Sequence, residues 1–136
     1  MNKSTIAQAE TRRMTKGQQK SILIFSPDAD LARTLLLILE EEYQIVRETE
    51  IGRLEGRIAS LHPALILVDL SAYSPDIVRQ LEVVKHTKRA IPLIILRGYS
   101  ALTPSMNETI EELADMVFYK PADVDMITQA IEDLLK

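Results

Sequence analysis

Two stretches of this sequence are apolar on both faces of an extended chain: Ala64-Leu65-Ile66-Leu67-Val68, and Pro92-Leu93-Ile94-Ile95-Leu96. A strand with one wet face alternates apolar and polar residues, whereas a strand with no polar side must be covered from above and below. Helices on both faces of a sheet provide that cover, and they imply parallel strands joined by crossovers. The remaining sequence supplies the alternation such a fold needs. Residues 22–25 read as a first strand, ended by Ser26-Pro27-Asp28, with apolar residues Leu31, Leu35, Ile38 and Leu39 then recurring at helical spacing through Glu42. Residues 43–47 read as a second strand. Residues 52–61 form a second helix with Leu54, Ile58 and Leu61 on one face, broken by His62-Pro63.

After the strand at 64–69 comes a helix over 75–85, striped by Ile77, Val78, Leu81 and Val84. The strand at 92–96 is followed by a turn at Arg97-Gly98-Tyr99, then by Thr103-Pro104, an N-cap with proline at the first helical position. That helix runs to about Leu113. A fifth strand at 116–119 ends at Lys120-Pro121, and a last helix covers 122–135. Five βα units with right-handed crossovers predict an α/β, doubly wound, five-stranded parallel sheet.

Composition narrows the function classes. At 136 residues the chain has the length of one domain. It has no cysteine, which excludes a disulfide framework, a thiolate metal site and a Cys nucleophile. Its apolar runs are far shorter than the roughly 18 residues of a membrane span, and residues 1–20 lack a secretory h-region, so a cytoplasmic protein without membrane contact is expected. Residues 1–20 carry Lys3, Arg12, Arg13, Lys16 and Lys20 against Glu10 alone, a net of +4, leaving −8 on the remainder of a chain whose total is −4. Residues 1–20 therefore read as a basic, disordered tail and 21–136 as the domain. An acidic globule is a poor footprint for nucleic acid, which is not expected as a partner. The run Glu40-Glu41-Glu42 reads as a solvated helix end, mildly unfavourable against the helix dipole. His62 and His86 lie at helix ends, without the spacing of a metal site or triad.

In open α/β sheets, ligands bind beyond the carboxyl ends of the strands. Those ends carry Ser26, Pro27 and Asp28; Asp69, Leu70 and Ser71; Arg97 and Gly98; and Lys120 and Pro121. A carboxylate closing a wholly apolar strand faces a desolvation cost unless it meets a cation. The sequence therefore predicts one polar cluster in which Asp69 pairs with Lys120 and Arg97, with Asp28 at its rim. Because a guanidinium makes bidentate pairs with carboxylates, Arg97 and Lys120 together are expected to neutralise Asp69 without a metal. Asp28 reads as a helix N-cap, with metal ligation as the alternative.

On these residues, positions 21–136 resemble the receiver domains of two-component response regulators: an apolar strand ending in Asp69, a strand ending in Lys120-Pro121, and a fivefold alternation at matching spacing. The resemblance implies the flavodoxin-like (βα)5 fold with strand order 2-1-3-4-5. It implies Asp69 as phosphoacceptor and Lys120 as a contact to phosphoryl oxygens. It also implies a partner face including Tyr99, Val117 and Tyr119, serving a histidine kinase, another signalling protein or a second copy. The departures are as informative. The family's acidic pair is replaced by Ser26 and Pro27, leaving Asp28 and Asp69 as the candidate magnesium ligands. Its small hydroxyl residue is replaced by Arg97, and its aromatic switch position is Val117. The expected function is a stand-alone, non-enzymatic pseudo-receiver that acts through protein–protein interaction, without a cofactor. A conventional phosphorelay receiver, with magnesium joining only on phosphorylation of Asp69, is the first alternative. A flavodoxin-like nucleotide or flavin module is the second, disfavoured because no Gly-rich phosphate loop follows any strand. With no DNA-binding output segment expected after Lys136, any effect on transcription would require another protein.

Overall fold

The computed structural model describes residues 19–70, 74–99 and 102–136. Among these residues five strands and five α-helices alternate: β1 (Ser21–Phe25), α1 (Ala29–Leu39), β2 (Gln44–Glu48), α2 (Leu54–Leu61) after a 3-10 turn at Ile51–Arg53, β3 (Leu65–Leu70), α3 (Pro75–Lys88), β4 (Leu93–Arg97), α4 (Pro104–Leu113), β5 (Met116–Tyr119) and α5 (Val124–Leu134). All four strand pairings are parallel, and the sheet order is β2-β1-β3-β4-β5, as expected.

The doubly apolar strands divide their side chains between two cores. Ile66, Val68 and Leu70 of β3 join Leu93 and Ile95 of β4 beneath α2, α3 and α4, where Leu54, Ile58, Leu81, Val84, Ile110 and Leu113 complete the layer. Leu65 and Leu67 join Ile94 and Leu96 on the opposite face, beneath Leu35 and Leu39 of α1 and Ile127 and Ile131 of α5. Strict alternation along a strand produces this division, because neighbouring side chains point to opposite faces of the sheet.

Short polar side chains start the helices. Asp28, Ser74, Thr103 and Asp123 each accept a hydrogen bond from a backbone N–H in the first turn of α1, α3, α4 and α5, satisfying donors that have no intrahelical acceptor. Proline at the first position of α3 and of α4 loses nothing, since that N–H would be unpaired in any helix.

Two expectations need correction. Ile38, read as part of the buried stripe of α1, is 48% exposed; α1 ends at Leu39 and its inner stripe is Ala32, Leu35 and Leu39. The tail expected over residues 1–20 lies outside the described residues for 1–18, but Gln19 and Lys20 belong to the folded unit. Gln19 Nε2 donates to the carbonyl of Glu41 at 2.9 Å, Lys20 Nζ donates to the carbonyl of Leu135 at 2.6 Å, and the Lys20 carbonyl accepts from Gln44 N at 3.0 Å. Among the described residues no helix is long and apolar enough to cross a membrane.

Candidate functional site

The carboxyl ends of β1, β3 and β5 meet at Asp69. Alternation places it on the face of β3 shared by Leu65 and Leu67, and it is completely buried. A carboxylate in that position is costly unless both oxygens find donors. Lys120 leaves β5 on the same face, and its Nζ donates to Asp69 Oδ1 at 2.5 Å. Ser26 leaves β1, the strand paired with β3 on its other side, and its Oγ donates to Asp69 Oδ2 at 2.9 Å. The hydroxyl has one hydrogen and a second acceptor within reach, the Asp28 carbonyl at 3.1 Å; the charged carboxylate is both nearer and the stronger acceptor. Lys120 also lines a cleft of about 490 Å³ together with Asp28, Leu31, Leu96, Pro121 and Ala122.

Ser26 is itself tightly held. Its N–H donates to the Glu48 carbonyl at 3.0 Å, and its carbonyl accepts from Arg47 Nε at 3.3 Å and Nη2 at 3.0 Å. Its Oγ accepts from Asp28 N at 3.1 Å. Sequence reasoning treated Ser26 only as a lost acid. The signal that identifies it as a donor is its place one residue beyond a strand that neighbours Asp69.

Arg97 does not join this cluster. The register pairs Asp69 with Leu96 and Leu70 with Arg97, so the guanidinium leaves from the opposite face of the sheet, where Leu70 packs. Among the described residues no ion pair joins Arg97 to Asp69. The side chain is 7% exposed; Nε donates to the Gly98 carbonyl at 3.2 Å, Nη1 donates to Asn107 Oδ1 at 3.2 Å, and Cζ lies 5.1 Å from the Tyr119 ring centroid. Tyr119 in turn stacks on Tyr99, centroids 4.7 Å apart and planes 20° from parallel. Tyr99 is 77% and Tyr119 43% exposed, so the pair forms an aromatic platform with a buried cation beneath it. Val117, grouped with these tyrosines from sequence, is partly buried against the core and contributes packing more than open surface.

The residues present do not fit a magnesium ion. Magnesium takes oxygen ligands in near-octahedral array, usually including one or two carboxylates. Here Asp69 has both oxygens engaged, Ser26 is neutral and already donating to it, and Pro27 has no side-chain oxygen. Asp28 is the N-cap of α1, its Oδ1 accepting from Asp30 N at 3.0 Å and Leu31 N at 3.2 Å, and it stands exposed at the rim of the site. No group of three His, Asp or Glu side chains suited to a metal occurs among the described residues. Ser71 lies outside them. His62 and His86 are exposed at the other pole, where both line a cavity of about 780 Å³ between the ends of α2 and α3.

A second buried carboxylate was missed from sequence. Glu48 closes β2 with 4% exposure; its Oε2 accepts from Thr49 N at 2.9 Å and Glu50 N at 3.0 Å, and its Oε1 pairs with Arg57 Nε at 3.1 Å. The Glu50 N–H, then Arg57 and the Thr49 N–H, hold this carboxyl below the usual glutamate range and outweigh the opposing effect of burial.

No protein-family model matches the sequence, and no curated protein matches it. Solved structures do match. A CheY-like response regulator receiver domain protein from Methanospirillum hungatei is 23% identical with a TM-score of 0.74, over 86% of this chain and 94% of that one. A two-component response regulator from Clostridium difficile is 20% identical with a TM-score of 0.71, over 86% and 96%. A pilus assembly-related protein from Burkholderia pseudomallei is 14% identical with a TM-score of 0.69, over 86% and 90%. At these identities the likeness establishes the receiver fold, and the chemistry of the site must be argued from its own residues.

Proposed function

We propose that the chain is a receiver-type signalling module that works by binding other proteins, with Asp69 held in a standing ion pair and not cycling through a metal-assisted phosphorylated state. The observation that carries this reading is that both oxygens of Asp69 already accept a hydrogen bond, from Lys120 on one and from Ser26 on the other. Phosphoryl transfer onto a carboxylate depends on a cation to take up charge on the transferred oxygens, and the acids that would retain a divalent ion beside Asp69 are replaced by a hydroxyl and a proline. Incoming phosphate would also have to displace a bonded hydroxyl from a buried site. The Tyr99–Tyr119 platform is the docking face in this reading. Aromatic side chains over a fixed arginine give large, rigid contact area at low entropic cost, the character of interface anchors.

One observation favours the second reading, a working phosphorelay receiver: Lys120 projects from the end of β5 to Asp69, as the resemblance to phosphorylated receivers implies. The two readings separate on incubation with acetyl phosphate or beryllofluoride, with and without magnesium, followed by intact-mass and amide NMR spectra. The expected result is no magnesium-dependent change. An adduct or spectral change that requires magnesium and disappears in Asp69→Asn would establish the second reading.

A further inference from the structure

The outward face of α1 carries apolar side chains that nothing in the described chain covers: Leu36 is 39% exposed, Leu37 65% and Ile38 48%. With 100° between successive residues of a helix, Leu37 stands opposite the buried stripe of Ala32, Leu35 and Leu39, at the centre of the outward face. Arg33 lies one turn before Leu37, and Glu40 and Glu41 lie one turn after it. Among the described residues none of these three forms an ion pair.

We infer that this face joins two copies of the chain through antiparallel α1 helices about a twofold axis centred on Leu37. A twofold interface must be complementary to itself, each feature meeting its counterpart from the other copy. Here Leu37 meets Leu37, and Arg33 of each copy meets Glu40 and Glu41 of the other, once at each end. The acidic end of α1 supplies an independent reason. Its last turn contains no basic residue, so among the described residues no cation of α1 itself offsets Glu40, Glu41 and Glu42 at the negative end of the helix dipole. An arginine from a second copy offsets that penalty. Beside the patch lies a groove of about 260 Å³ between α1 and β2, lined by Ile24, Leu36 and Ile45 together with Arg33 and Arg47. Because β2 and β5 are opposite edges of the sheet, pairing through α1 leaves Tyr99 and Tyr119 open, and the inference stands apart from the proposed function.

Sedimentation equilibrium of the full chain, from low micromolar to submillimolar concentration, tests this. The expected result is a concentration-dependent dimer that Leu37→Glu converts to monomer, with a melting temperature close to that of the natural chain at concentrations low enough for it to be monomeric as well. Arg33→Glu and Glu41→Arg, each alone, should weaken the dimer by roughly tenfold or more through like-charge contact. Mixing the two single variants should restore it, because a heterodimer places opposite charges at both ends. A chain monomeric throughout, or a dimer indifferent to Leu37→Glu, would overturn the inference and leave this face to residues 1–18 or to a different protein. Failure of the mixed variants to pair would overturn the antiparallel arrangement.

Discussion

Ser26 Oγ lies 2.9 Å from Asp69 Oδ2, so a neutral hydroxyl at the end of β1 serves the one fully buried carboxylate of β3. With Lys120 on the other oxygen, the three side chains form a closed set. Removing the two donors should therefore cost unequal amounts. Ser26→Ala leaves one oxygen unsatisfied, an expected loss of about 1–3 kcal/mol. Lys120→Met leaves a buried charge without its counter-ion, an expected loss of about 3–5 kcal/mol. Adding Asp69→Leu to Lys120→Met should recover much of that loss, because the pair is then replaced by apolar groups. Urea unfolding of the three variants measures each term, and equal costs for the two single variants would contradict this account of the site.

The same closed set predicts indifference to divalent ions. The melting temperature of the natural chain should not move with millimolar magnesium. Ser26→Asp with Pro27→Asp places two further acids beside Asp69, lowering stability in chelator through like-charge repulsion and creating a metal requirement. Bound magnesium should then stabilise the variant by about 2.7 kcal/mol at a hundredfold excess over its dissociation constant. Calorimetry of both proteins in chelator and in magnesium reads the difference directly.

The lost partnership of Arg97 and Asp69 shows where sequence reasoning ran out. Strands apolar on both faces announce a covered parallel sheet plainly, which is why β3, β4 and the layer architecture were legible. The same property erases phase. In 64–68 and 92–96 no polar residue marks which face is which, and the relation of Asp69 to Arg97 depends on the register, which pairs Asp69 with Leu96. One residue of register decides whether the guanidinium reaches the carboxylate or the aromatic platform. Glu48 was hidden for another reason. In Arg47-Glu48-Thr49-Glu50 it reads as one more solvated charge at a strand end, and its burial depends on two backbone donors of the following turn and on Arg57, nine residues away.

The position of Arg97 gives its own expectation. Arg97→Ala should destabilise the protein by about 1–2 kcal/mol through loss of the Asn107 hydrogen bond and the Tyr119 contact, with no effect on the magnesium response. Arg97→Lys should recover little, because an ammonium has neither the planar fork nor the stacking surface of a guanidinium. Aromatic proton shifts of Tyr99 and Tyr119 should move in both variants if the rings rest on the cation. Unmoved ring shifts would separate the platform from Arg97.

Glu48 ties acid stability to the β2–α2 connection. Its carboxyl is held below its ordinary value, mainly by the Glu50 N–H and further by Arg57 and the Thr49 N–H. A depressed carboxyl contributes stability that is fully present above its unfolded pKa, about 4.3, and is lost as pH falls through the folded value. Glu48→Gln cannot ionise and keeps only neutral hydrogen bonds to the same donors. The natural chain should therefore exceed the variant in stability near neutral pH, where the carboxylate also holds Arg57. The gap should narrow progressively below about pH 4.3 as the natural glutamate is protonated and comes to resemble the amide. Urea unfolding of both proteins across the acid range gives two stability curves that converge downward in pH. Parallel curves would mean that the turn donors and Arg57 bind charged and neutral forms equally, and Glu48 would then contribute nothing to the acid limb.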